Sequence, residues 1–157
     1  MRLSAKLFPM AILLAALSPV TTSAQTISST PCTLNKQVYT CDEASFASTL
    51  KQARTIAIEA QPRDQAAAAQ LKQLVTSLGK TLAPDTADLT FRLTRTEPSG
   101  VYIGPAGAPL AILSVYAQAA DGSRGPLLWL ETFTGQPDMR WPSIIHATIQ
   151  QFQENFK

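Results

Sequence analysis

Residues 55–93, TIAIEAQPRDQAAAAQLKQLVTSLGKTLAPDTADLTFRL, decide the fold. The stretch opens on Thr55-Ile56-Ala57-Ile58-Glu59, where Ile56 and Ile58 recur on one side at the period of a half-buried strand. Gln61-Pro62-Arg63 turns the chain, and Asp64 is well placed to cap a helix over about 65–78. Ala67, Leu71, Leu74, Val75 and Leu78 form one apolar stripe on that helix. Gly79 stands where a left-handed residue ends a helix, and Pro84 follows. Asp88 then opens a second strand, with Leu89, Phe91 and Leu93 facing a core and Thr90 and Arg92 facing away. Two strands therefore flank a crossover helix.

Downstream, Glu97–Pro109 holds three Pro and three Gly and is a long irregular loop. Leu110–Ala117 is a third strand, Asp121-Gly122 a turn and Leu127–Phe133 a fourth strand. A closing helix begins at Trp141-Pro142, since Pro suits a first helical turn, and Ile145, Ile149, Phe152 and Phe156 continue its stripe. Upstream, Thr40 and Glu43 have capping-box spacing, and Phe46, Leu50 and Ala53 mark a short helix over about 41–52. The expected fold is a single α+β domain over 41–157. It is a two-layer sandwich with a mixed four-stranded sheet in helix-β-α-β-β-β-α order, and its helices lie mainly on one face.

The last two strands are apolar on both sides. Strict alternation puts Leu127, Trp129 and Phe133 on one side of the fourth strand, and Leu128 and Leu130 on the other. Ile112 opposes Leu113 and Val115 in the third. Both faces of this end of the sheet should therefore be covered. The cover is either the N-terminal helix, through Phe46 and Leu50, or a protein partner or second copy of the chain on the sheet face.

The front of the chain reads as a secretory leader. Arg2 and Lys6 precede an apolar run from Leu7 to Val20, and Thr22-Ser23-Ala24 offers a cut. The run is interrupted by Pro9 and Pro19 and falls short of the roughly 20 residues a spanning helix needs. Residues 1–24 are expected to be a signal peptide, 25–40 a flexible leader and disulfide loop, and the product periplasmic or secreted, with no membrane span. No Cys stands at the cut to carry a lipid. Of 13 basic residues the leader holds Arg2 and Lys6, which leaves 11 against 11 acids. The basic residues are scattered, so a nucleic-acid partner is not expected. In an exported chain Cys32 and Cys41 predict a structural disulfide.

Catalytic chemistry has little to stand on. His146 is the only histidine, no Ser sits in a G-x-S-x-G setting, and the acids are dispersed. No catalytic residue is assigned and no metal site is expected, because zinc wants clustered His and Cys. Gly104-Pro105-Ala106-Gly107 lacks the Lys and helix of a phosphate loop, and no cofactor is expected. Trp129, Arg140 and Trp141 fall close in sequence and pair aromatic anchors with a guanidinium, so they are a candidate interaction surface.

The Thr55–Glu59 strand, the Asp64 helix, Ala87-Asp88-Leu89, a strand carrying Trp129 and a closing helix together resemble small exported bacterial envelope proteins of unknown function, many of them lipoproteins. The resemblance runs from about Arg54 to the C-terminus. It departs where Leu130 and Glu131 replace the basic and glycine residues that often follow that Trp, and in lacking the lipid-bearing Cys. It implies a periplasmic or secreted α+β domain and carries no catalytic residue. The expected function is a non-enzymatic module that binds a protein or ligand. The alternative is a small secreted hydrolase using His146 with an unidentified nucleophile.

Overall fold

The computed structural model describes residues 29–36, 38–62, 64–96, 110–119, 121–136 and 138–156. The leader expected at 1–24 and the loop at 97–109 lie outside the described residues. The elements are β1 (Thr33–Asn35), β2 (Val38–Thr40), α1 (Glu43–Gln52), β3 (Thr55–Ala60), α2 (Gln65–Ser77), β4 (Thr81–Leu82), β5 (Leu89–Thr96), β6 (Leu110–Gln118), β7 (Arg124–Thr134) and α3 (Trp141–Phe156). The α+β class and the three helices are as the sequence predicts.

The sheet has five strands rather than four, in the order β4-β3-β5-β6-β7. β3 runs parallel to β4 and β5, and the β5-β6-β7 meander is antiparallel, so the sheet is mixed. The added strand pairs only Thr81 with Thr55 and Leu82 with Ile56. Two residues cannot display an alternation, which is why β4 is invisible to pattern reading. The Cys32–Cys41 loop is the β1-β2 hairpin, closed by the disulfide with its Cα atoms 4.2 Å apart. Its backbone is tied to the domain where the Cys32 N–H donates to the Leu127 carbonyl at 2.8 Å. Replacing both cysteines by Ser is expected to cost about 2.5 kcal/mol in the chain-entropy picture, read as a lower urea midpoint.

Local chemistry explains the crossover. The Asp64 carboxylate accepts the Ala67 N–H at 2.9 Å and caps α2. At the other end Gly79 has φ +67°, the Gly79 N–H donates to the Thr76 carbonyl and the Lys80 N–H to the Val75 carbonyl. This is a Schellman end, and it turns the chain into β4. Asp88, expected only to open a strand, ties the two parallel strands together. Its Oδ2 accepts the Arg54 and Thr55 N–H groups at 2.7 and 3.0 Å, and its own N–H donates to the Thr55 carbonyl and Oγ1. Asp88→Ala removes two charge-assisted bonds and is expected to cost about 2 kcal/mol, measurable as a fall in Tm.

α1 starts two residues later than predicted, because Asp42 rather than Thr40 is its N-cap; the Asp42 carboxylate accepts the Ser45 N–H at 2.9 Å. The helix comes close to the C-terminal ends of α2 and α3, where Leu50 and Lys51 line a cleft with Leu78 and Phe156. Lys80 meets its last turn, donating from Nζ to the Lys51 and Ala53 carbonyls at 3.2 and 2.7 Å. Burial lowers the Lys80 pKa, and the Asp88 carboxylate opposes that shift.

All three helices share one face of the sheet. Phe46 of α1 stacks on Trp129 of β7 at 5.3 Å between centroids and meets Phe152 and Phe156 of α3 edge-on. Phe152 in turn meets Phe91 at 5.6 Å. The core is thus Phe46 and Leu50 of α1, the α2 stripe, Ile144, Ile145, Ile149 and Phe152 of α3, and Ile56, Leu89, Phe91, Leu93, Leu113 and Val115 of the sheet. α1 therefore does not cover the second face, which is one of the two covers the sequence leaves open. Its Phe46 is drawn into the aromatic layer at the C-terminal end of α3.

The side assignment in β7 also needs correcting. Tyr116 pairs with Leu127 and Val115 with Trp129, so Leu128 has no partner and the register shifts there. The extra residue breaks the alternation. Leu127 falls with Tyr116 on the face away from the helices, Trp129 with Val115 on the helix face, and Leu128 is buried in the core.

Candidate functional site

Of the residues singled out for an interaction surface, Trp129 lies apart from Arg140 and Trp141. Trp129 packs at the C-terminal end of α3, against Phe156 at 4.8 Å, and its Nε1 donates to Glu131. Trp141 is the first residue of that helix, whose 16 residues span about 24 Å at 1.5 Å per residue. The Trp141 Nε1 donates to the Asp64 carboxylate, and Arg95 lies over its ring at 5.5 Å. Asp64 thereby joins the N-termini of α2 and α3. Arg140 is exposed beside it. Each indole N–H is thus spent on an internal carboxylate.

His146 is exposed on α3, on the side turned from the core. Among the described residues no Ser or acid is hydrogen-bonded to it, and no group of three His, Cys, Asp or Glu is placed to hold a metal ion. No helix among them is long and apolar enough to cross a membrane.

A different surface is left by the placement of the helices. The outer face of the sheet, opposite them, is mapped by strand register. One row runs Glu59, Arg92, Ser114, Leu130; the next on one side runs Thr94, Ile112, Thr132, and on the other Ala57, Thr90, Tyr116, Leu127. Ile112, Tyr116, Leu127 and Leu130 are half-buried there, although none of the helices lies over them. This is the two-sided apolar pattern of the last strands, now with its second side located.

A charged cluster edges that apolar strip. Arg124 reaches from the start of β7 across the face, with its guanidinium 5.0 Å from the Tyr116 ring centroid and Nη2 2.8 Å from Glu59 Oε2. Arg92 Nε approaches the same oxygen at 3.8 Å. The Arg92, Glu59 and Arg124 side chains are 40%, 41% and 38% exposed, so these pairs add little to stability. What they fix is position. Arg124 is held by ring and carboxylate together, while Arg92 approaches the same carboxylate only at 3.8 Å. Tyr116, Arg92 and Glu59 were passed over in the sequence because each reads singly as a polar strand position. Only the pairing of β3, β5 and β6 aligns them.

No family model matches the chain, and no curated protein matches it. Among solved structures it is similar to a PelC dodecamer from Paraburkholderia phytofirmans, at 12% identity over 68% of this chain and 90% of that one, with a TM-score of 0.42. It is also similar to a minor lipoprotein from Acinetobacter baumannii, at 18% identity over 64% and 90% of the two chains, with a TM-score of 0.39. Both likenesses are distant, and no residue is carried over from either.

Proposed function

We propose that this chain is an exported, non-enzymatic binding module of the envelope or medium whose working surface is the outer sheet face. The observation that carries the reading is the gathering of α1, α2 and α3 on one side, which leaves the apolar strip of Ile112, Tyr116, Leu127 and Leu130 under none of the described helices. Half-buried apolar side chains on a face that no described helix covers favour association with a protein partner or a second copy. The secretory leader pattern and the Cys32–Cys41 disulfide support export.

The test uses the chain from Gln25 onward as bait in native envelope and culture medium, beside an Ile112→Asn/Leu130→Asn variant. The variant is expected to keep its circular dichroism and lose the captured partner, or, for self-association, to elute as the smaller species in gel filtration. Equal capture and equal elution by both forms would overturn the reading.

A further inference from the structure

We infer that the outer face takes an extended acidic segment of a partner protein, with a carboxylate on Arg92 and aliphatic side chains on Ile112 and Leu130. This rests on the outer face being the working surface, and it adds what the partner must present.

The charge count on the face is uneven. Two guanidiniums share one carboxylate, and they share a single oxygen of it. Arg124 takes that oxygen at hydrogen-bond distance and is further held on Tyr116. Arg92 is left at 3.8 Å, beyond a hydrogen bond, and its side chain makes no other polar contact among the described residues. A guanidinium has five donors in a planar fork that matches a carboxylate bidentately. A partly exposed guanidinium beside an apolar strip, with the neighbouring anion already engaged, is complementary to an acid flanked by aliphatic groups.

The spacing suits an extended chain. Ser114 is the direct partner of Arg92, and Ile112 is two residues from Ser114 along β6. The Arg92-to-Ile112 diagonal is therefore about 7–8 Å. Side chains at positions i and i+2 of an extended peptide lie about 6.6–6.8 Å apart on one side. An acid-x-aliphatic pattern thus places its carboxylate on Arg92 and its aliphatic group by Ile112, with Leu130 on the far side of Ser114. The Ser114 hydroxyl makes no hydrogen bond among the described residues and lies in the same row. A fatty acid offers the same headgroup, but only a chain with alternate side chains matches the Arg92-to-Ile112 diagonal. The surface fits a peptide.

A peptide array tests this. Twelve-residue peptides varying in charge and aliphatic content are probed with the wild-type chain, Arg92→Gln and Ile112→Asn/Leu130→Asn. Bound wild-type spots should be enriched in acid-x-aliphatic patterns. Arg92→Gln should weaken those spots at least tenfold and spare neutral apolar ones, and the double variant should lose both. Binding without acid preference, or a preference that survives Arg92→Gln, overturns the acidic partner while the double variant still reports on the face. A bound set untouched by the double variant overturns the face as well. An array with no bound peptide overturns the peptide partner and leaves the face to the capture experiment.

Discussion

Phe46→Ala is expected to lower the unfolding free energy by about 3–5 kcal/mol, the range for truncating a buried Phe. Phe46 is fully buried and is the one residue of α1 that touches three aromatic rings at once. Removing its ring leaves Trp129, Phe152 and Phe156 facing a void that a helix pinned at both ends cannot close. The pins are the disulfide just before Asp42 and the Lys80 contacts at Lys51 and Ala53. Urea titration followed by tryptophan fluorescence should show a lowered midpoint with little change in slope. A cost under about 1 kcal/mol would mean that α1 does not sit in the core, since an exposed Phe loses little on truncation.

Glu131→Ala is expected to cost about 2–4 kcal/mol, from the charge-assisted bonds lost and the donors left without a partner. Glu131 is 7% exposed on the helix face of β7, where an apolar residue would be the ordinary choice. Its oxygens accept from Trp129 Nε1 and Asn155 Nδ2 at 3.2 Å each and from Gln151 Nε2. Three neutral donors thus hold one carboxylate between β7 and α3. Gln151 and Asn155 can turn to water after the substitution, whereas the half-buried Trp129 indole is left facing the gap. Glu131→Gln keeps the shape but turns an amide N–H₂ towards these donors, so it should lie between wild type and Ala. Thermal unfolding of the three forms should rank them in that order.

The two parallel strands and their crossover were legible because their local signals agree. The alternation of Ile56 and Ile58, the Asp64 cap, the α2 stripe and Gly79 all point the same way, and Asp64 and Gly79 make the backbone contacts expected of them. What stayed hidden depended on long-range geometry. β4 is two residues long and gains its identity only by lying beside β3. Leu127 was assigned to the wrong side because one extra residue at Leu128 shifts the register, and nothing in a Leu-Leu pair signals a bulge. α1 reads as an amphipathic helix in either position, and only the ring contacts of Phe46 place it. Trp129 and Trp141 looked adjacent because 12 positions separate them; a helix's length lies between them in space. The Arg92, Glu59 and Arg124 cluster has no sequence signature, since its members come from three strands.

The most direct test compares two charge insertions on neighbouring residues of β6 and β7. Leu113 faces the helices and is fully buried, whereas Leu130 faces outward and is half-buried. Leu113→Asp is expected to abolish folding. Leu130→Asp is expected to shift the unfolding free energy by about 1 kcal/mol or less, as a solvent-facing substitution does, while eliminating partner capture or self-association. A loss of several kcal/mol in Leu130→Asp would show that the outer face is interior, and undiminished capture by a folded Leu130→Asp would show that it is not the surface used.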